Sequence, residues 1–329
     1  MLPADSFQNA MQTAAAEARK WLGVTSPNPA VGAAALDAEG RILTCAAHHK
    51  AGEAHAEALL IEACRNQGIL PRIATLCVTL EPCNHYGKTP PCTEAIIREG
   101  IKRVVIGAHD SNPHVKGGGI EKLRAAGIEV ITGIAEEECR QLIHAFAYHA
   151  QTGKPFVTIK RALNHEGSMI PPAGQKTFTS AESLRFAHRL RKKADAILTG
   201  SGTILADHPL FTVRHVQDHP DKRRWLAILD RRGRVSKDYV EAAKARNFDV
   251  LIYKDSTEAL KDLAAQGAQD VLVEAGPSLS QSLLDSGLWT MSVTLRQADS
   301  ESLDVAFNPQ APLPFDPQQF CWDYVLPRE

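Results

Sequence analysis

His48-His49-Lys50-Ala51-Gly52-Glu53-Ala54-His55-Ala56-Glu57, followed downstream by Glu81-Pro82-Cys83 and by Cys92, decides how the first half of this chain is read. His55, Cys83 and Cys92 supply one imidazole and two thiolates. That donor set suits tetrahedral zinc and leaves a fourth position open for water. Bound zinc lowers the pKa of its water from ~15.7 towards ~7. Glu57 lies two residues after His55 and is not needed as a ligand, so its carboxylate is available for proton transfer. A structural zinc site is normally closed by four protein ligands, and a three-ligand set with an adjacent acid points to catalysis.

The flanking sequence supports convergence of these groups. His55–Ala63 reads as a helix opening with apolar residues at helical spacing. Ala74–Leu80 reads as a buried strand that delivers Cys83 at its end. Pro90-Pro91 precedes Cys92, and prolines can open a helix. The arrangement is that of zinc deaminases, which attack an amino-bearing ring carbon of a pyrimidine-like base. Those enzymes commonly separate their cysteines by two residues, whereas here Asn84-His85-Tyr86-Gly87-Lys88-Thr89-Pro90-Pro91 intervenes. His85 and Lys88 on that polar loop suit an anionic substrate.

The chain has 329 residues, for which two domains are the natural expectation. A net charge of −1 shows no electrostatic footprint for nucleic acid. No apolar run has transmembrane length, and the N-terminus lacks a signal-peptide core. The partner expected is therefore a small nucleotide-like molecule, with neither nucleic acid nor membrane. Seven cysteines form no even framework, which predicts a reducing, cytoplasmic setting. Cys45, Cys64, Cys77, Cys139 and Cys321 read as core thiols. A homo-oligomer is expected.

Residues 1–150 alternate helices and apolar strands, the pattern of a helix–sheet–helix α/β domain. Strands are predicted at 31–36, 42–46, 74–80, 103–108 and 128–132, and helices at 6–21, 55–67, 92–99, 120–126 and 136–150. Gly153-Lys154-Pro155 marks a boundary. A second α/β domain over 151–329 follows, with strands at 156–162, 195–199, 225–228, 249–253, 270–274 and 291–295. Its helices are predicted at 181–192, 258–266 and 278–286. The proline-rich stretch 308–317 reads as a connection to a short terminal strand.

Taken together, these segments resemble the bifunctional deaminase–reductase family of riboflavin biosynthesis. Thr25-Ser26-Pro27-Asn28-Pro29-Ala30-Val31-Gly32 resembles its substrate segment, and the His48–Glu57 and Val78–Cys92 stretches resemble its metal segments, including the eight-residue spacing. Asn112-Pro113 with Gly117 and Gly119 also fits. The resemblance implies a cytidine-deaminase-like layered domain followed by a dihydrofolate-reductase-like α/β domain. It implies Zn2+ and NADPH as cofactors, with deamination of a diaminopyrimidinone that carries a phosphoribosylamino group. Asn28 and His48 would contact the base, and His85 and Lys88 the sugar-phosphate end.

In the second half, Lys160, the His188–Arg191 segment, Gly202–Arg214 and Val273–Leu279 carry the likeness. It implies Lys160, Thr203, Asp207 and Gly276 toward the cofactor, and Arg191, Arg214 and Glu274 toward the substrate. The Gly276-Pro277 turn reads as one that presents backbone N–H groups to phosphate. Several positions depart from the family. Asn164-His165-Glu166-Gly167 replaces Ser-Leu-Asp-Gly, Gln175 and Thr177 replace a Ser and a Trp, and Asp299-Ser300-Glu301-Ser302 replaces a glycine-ended segment. These changes predict an impaired reductase and leave open a chain that only deaminates. A deaminase of another cytosine-like base or of tRNA is a further alternative, disfavoured by the charge balance and the long loop.

Overall fold

A computed structural model describes residues 4–86, 90–110, 118–170, 179–297 and 301–327. The chain divides into two compact units, one of residues 1–152 with 313–328 and one of residues 153–312 with 329.

The first unit is a five-stranded sheet between helices. In chain order its strands are β1 (Gly32–Leu36), β2 (Ile42–Ala47), β3 (Thr75–Leu80), β4 (Arg103–Ala108) and β5 (Glu129–Thr132), and their spatial order is β2-β1-β3-β4-β5. β1 runs antiparallel to β2 and β3, whereas β3, β4 and β5 are parallel. Both faces of β1 are covered, so all five of its residues are buried. On one side lies α1 (Ala4–Arg19), whose Phe7, Ala10, Met11, Ala14, Ala15 and Ala18 form a buried stripe at helical spacing. On the other lies α2 (Ala56–Asn66), which buries Ala56, Leu60, Ile61 and Cys64. Small residues permit this close sandwich. A Cβ on Gly32 would stand 1.9 Å from the Ala14 carbonyl oxygen, so α1 could not lie where it does against any larger residue.

The remaining helices of this unit are α3 (Cys92–Arg98), α4 (Gly119–Ala125), α5 (Glu136–Leu142) and α6 (His144–Thr152). The single helix expected at 136–150 is two, divided at Ile143, which leaves helical geometry at φ −104° and ψ 15°.

The second unit is a seven-stranded sheet. Its strands are β6 (Phe156–Leu163), β7 (Ala196–Gly200), β8 (Arg224–Leu229), β9 (Phe248–Tyr253), β10 (Asp270–Val273), β11 (Met291–Arg296) and β12 (Ser302–Phe307). Their order is β12-β11-β6-β10-β7-β8-β9, parallel throughout except for β12 against β11. Helices α7 (Ala181–Lys193), α8 (Ser201–Asp207), α9 (Lys237–Lys244), α10 (Ser256–Ala265) and α11 (Pro277–Asp285) connect them. Chain order reverses beside β10, which returns to sit between β6 and β7. In open parallel sheets such a reversal leaves a ligand crevice at the strands' carboxyl ends.

The expected C-terminal boundary needs correction. The end of the chain does not belong with the second unit, and it is not a strand. It closes on the first unit and ends in α12 (Trp322–Val325). Phe315, Val325 and Leu326 are buried there. Asp316 N donates to Glu137 Oε1 at 3.1 Å, Gln141 Nε2 to the Gln319 carbonyl at 2.9 Å, and Cys321 N to Gln141 Oε1 at 2.9 Å. Of the five remaining cysteines, Cys64, Cys77 and Cys139 are buried, while Cys45 and Cys321 are half-buried. No helix among the described residues is long and apolar enough to cross a membrane.

Candidate metal centre and reductase cleft

His55 immediately precedes α2, Cys83 follows the end of β3, and Cys92 opens α3. These element ends converge. His55 Nδ1 lies 3.5 Å from Cys83 Sγ and 3.4 Å from Cys92 Sγ, and the three donor atoms all fall within 4.8 Å of one another. Zinc bonds of ~2.1 Å to nitrogen and ~2.3 Å to sulfur at a tetrahedral angle set their ligand atoms ~3.5 Å apart. The chemistry and spacing of the donors therefore fit zinc. The Cys92 hydrogen bond holds the Cys83 thiol down to about 4, against the opposing effect of burial. The same bond, followed by burial, pushes Cys92 up. Glu57 sits in the first turn of α2 and is 3% exposed. Burial raises its carboxyl, helped by the charge of Cys83.

A pocket of about 460 Å³ opens over these residues. Asn28, His48 and His85, the residues expected to contact substrate, line it together with His55, Glu57 and Cys83. The Ala54 carbonyl can only accept, so His48 Nδ1 donates to it at 3.0 Å and leaves Nε2 to accept from Asn28 Nδ2 at 3.2 Å. Burial lowers the His48 pKa, in keeping with this neutral tautomer. Asn28 is thereby oriented with its amide nitrogen committed and its carbonyl oxygen left for a ligand. Lys88, Asn112, Pro113 and Gly117 lie outside the described residues. Sequence reasoning missed Glu53, Asp110 and Phe146, which also line the pocket. Phe146 arrives from α6, far along the chain, and no local motif signals it.

In the second unit, Arg191 on α7 donates through Nε to Glu274 Oε2 at 2.8 Å, and Glu274 follows β10. Arg191 Nη1 also reaches the Thr212 carbonyl at 3.1 Å. Arg214 donates from Nη1 to Thr212 Oγ1 at 2.7 Å and from its backbone to His188 Nδ1 at 2.8 Å. Burial lowers Lys160, with the charge of Glu274 opposing. Among the described residues, buried Glu274 Oε1 has no hydrogen-bond partner. An orphaned carboxylate oxygen beside a buried ammonium and two guanidinium groups fits a hydroxylated, anionic ligand.

On the cofactor side, Thr203 and Gly276 meet through a 2.9 Å bond from Gly276 N to Thr203 Oγ1. That bond occupies the N–H of Gly276 itself. Pro277 has no N–H, so the first free donors of α11 belong to residues after it. Asp207 ends α8 exposed, and Glu166 is also exposed. Gln175, Thr177, Asp299 and Ser300 lie outside the described residues.

His188 carries a pH signature. Burial, and then the charges of Arg191, His215, Arg214 and Lys160, hold it down to about 3. An unfolded His titrates near ~6.5. The unfolded chain therefore binds a proton that the folded chain refuses, and His188 subtracts stability as pH falls from ~6.5 towards the folded value. Its effect is absent above that range. Urea unfolding followed from pH 7.5 to 5 should show stability falling with acidification. His188→Gln should flatten the slope by up to ~1.4 kcal/mol per pH unit, the value of one proton. An unchanged slope would remove His188 as its source.

Two family models match the chain. The cytidine and deoxycytidylate deaminase zinc-binding region covers residues 5–108, and the RibD C-terminal domain covers residues 155–290. A riboflavin biosynthesis protein RibD of Aquifex aeolicus (strain VF5) is 39% identical over 305 residues, covering 86% of this chain and 84% of that one. The chain belongs to the RibD family. A RibD protein of Escherichia coli (strain K12) is 33% identical over 301 residues, spanning 80% of each chain. A diaminohydroxyphosphoribosylaminopyrimidine deaminase/5-amino-6-(5-phosphoribosylamino)uracil reductase from Thermotoga maritima superposes with a TM-score of 0.78 at 35% identity, over 89% of this chain and 87% of that one. As in the RibD family, the first unit is a cytidine-deaminase-like zinc domain and the second a dihydrofolate-reductase-like domain that uses NADPH. The chain is an enzyme of riboflavin biosynthesis.

Proposed function

We propose that the first unit hydrolytically deaminates a diaminohydroxyphosphoribosylaminopyrimidine and that the second reduces the 5-amino-6-(5-phosphoribosylamino)uracil which follows from it. The convergence of His55, Cys83 and Cys92 beside buried Glu57, at the floor of the pocket, carries the deaminase reading. Zinc, when bound, polarises the water that attacks the amino-bearing ring carbon. Glu57 takes a proton from that water on a carboxylate oxygen. It delivers that proton to the ring nitrogen and then passes the proton of the added hydroxyl to the departing amine, so that ammonia leaves and C=O replaces C–NH2. Asn28 and His48 hold the base edge, and His85 and Lys88 hold the sugar-phosphate end.

In the second unit NADPH, when bound, supplies the hydride that the ribosyl group accepts. Arg191, Arg214 and Glu274 would hold the substrate, and Lys160, Thr203, Asp207 and Gly276 would lie toward the cofactor. The departures at Glu166, Gln175 and Thr177 suggested an impaired or inactive second unit. The RibD C-terminal match and the relatives' similarity across both halves favour both activities instead. A cytoplasmic homo-oligomer is part of the same reading.

Incubation with the diaminopyrimidine nucleotide, with and without NADPH, tests it. Ammonia release should need only the metal, and NADPH oxidation should need the deaminated product. The full chain should hold one zinc per chain, which chelation removes. Chelation should abolish ammonia release while NADPH oxidation on supplied deaminated product continues. Retained ammonia release by zinc-free protein would defeat the deaminase reading.

A further inference from the structure

Eight residues separate Cys83 from Cys92. A short connection would itself hold two thiols at ligand spacing, whereas a longer loop leaves its ends freer and their closure costs more entropy. The structure closes this loop at its ends. Asn84, the residue after the first thiol, accepts through Oδ1 from Oγ1 of Thr93, the residue after the second, at 3.1 Å. Asn84 Nδ2 donates to the Gly118 carbonyl at 3.3 Å. That carbonyl can only accept, so it fixes which way the amide points. Thr93 N donates to the Cys83 carbonyl, and Cys92 N to Cys83 Sγ, each at 3.3 Å.

The other side of Cys83 is tied to the same segment. Glu81 Oε1 accepts from Gly119 N at 3.1 Å and from Ile120 N at 3.2 Å. The approach is close enough that a Cβ on Gly119 would stand 2.2 Å from the Pro82 carbonyl oxygen. Residues 81 and 84 thus bracket Cys83, and residues 118–120 hold both. Thr93 is fully buried, so its hydroxyl bond is shielded from competing water.

We propose that Asn84 and Thr93 are positioning residues of the metal centre, joined as a staple across the loop so that the two thiolates stand at ligand spacing before metal enters. This rests on the reading of His55, Cys83 and Cys92 as zinc ligands. Residues that orient metal ligands typically contribute ~10–100-fold to metal affinity. The staple neither touches substrate nor moves a proton.

The test is zinc affinity by chelator competition on the full chain, with the visible spectrum of the cobalt-substituted protein as a second readout. Asn84→Ala should weaken zinc ~10–100-fold and alter the thiolate-to-cobalt charge-transfer band. Thr93→Val keeps the shape of the buried side chain and loses only the hydroxyl, so it should do the same. Thr93→Ser, which restores the hydroxyl, should bind like the parent. The double variant Asn84→Ala/Thr93→Val should lose no more than the worse single, because either single already removes the bond the two residues share and only Asn84→Ala also loses the Gly118 contact. Parent-like zinc affinity in both single variants would overturn the staple, whatever happened to their melting temperatures. So would equal losses for Thr93→Ser and Thr93→Val, or fully additive losses in the double. Failure of the underlying ligand reading would appear separately, as zinc bound equally well by the parent and by Cys83→Ser.

Discussion

Glu57→Gln should leave zinc bound and lower the rate of ammonia release by about 10²–10⁴-fold, the usual worth of general acid–base catalysis. The amide preserves the size of a side chain that is 3% exposed on the first turn of α2, so the helix and its cap at His55 should persist. It cannot accept a proton from water and pass it on. Zinc content by metal analysis should match the parent, and the loss should fall on kcat because Asn28 and His48, proposed to hold the base, are untouched. A variant turning over near the parent rate would take Glu57 out of the mechanism. One that lost its zinc would show that the carboxylate also holds the metal site together.

Glu274→Ala should cost most in the second unit. Glu274 and Arg191 pair at 2.8 Å with side chains 9% and 15% exposed. Removing one partner of a buried pair is destabilising by ~3–5 kcal/mol, because the other charge stays behind unpaired. Arg191 would then stand with Lys160 and Arg214 without the opposing charge of Glu274. NADPH-dependent turnover should fall by at least ~10²-fold, the scale of a ~1 Å misplacement at a reacting centre. Ammonia release from the first unit should continue. Glu274→Gln should recover more stability than turnover, since an amide can still accept from Arg191 but carries no charge. Normal NADPH oxidation by either variant would show that the cleft lies elsewhere.

The metal centre was legible because each ligand sits at the end of an element that announces itself: a helix start, a strand end and a proline-opened helix. His85 stood out by its place on the loop between the two cysteines, whereas Asn28 and His48 stood out only through the family resemblance of their segments. Phe146 and Asp110 did not, because their place in the pocket depends on tertiary packing of segments with no chemical motif. Strand β12 was missed because Ser302–Phe307 is an edge strand with much of its surface in solvent, leaving no buried apolar run to read. Helices α8 and α9 are one to two turns long, too short for a periodic stripe to emerge. The Gly276 turn looked like a phosphate cradle from sequence. Which N–H groups that turn can present was not legible there, because a hydroxyl 73 positions earlier takes that of Gly276 itself.

The return of residues 313–328 to the first unit makes the second an insertion within it. A ribosome delivers the zinc ligands and the whole first sheet long before it delivers Phe315, Val325 and Leu326. The nascent deaminase unit must therefore wait, with the surface of the first unit that receives them unfilled, while the reductase unit emerges and folds. Cutting the gene after Thr152 would make that interval permanent. Supplying the tail by circular permutation, joined ahead of α1, would end it.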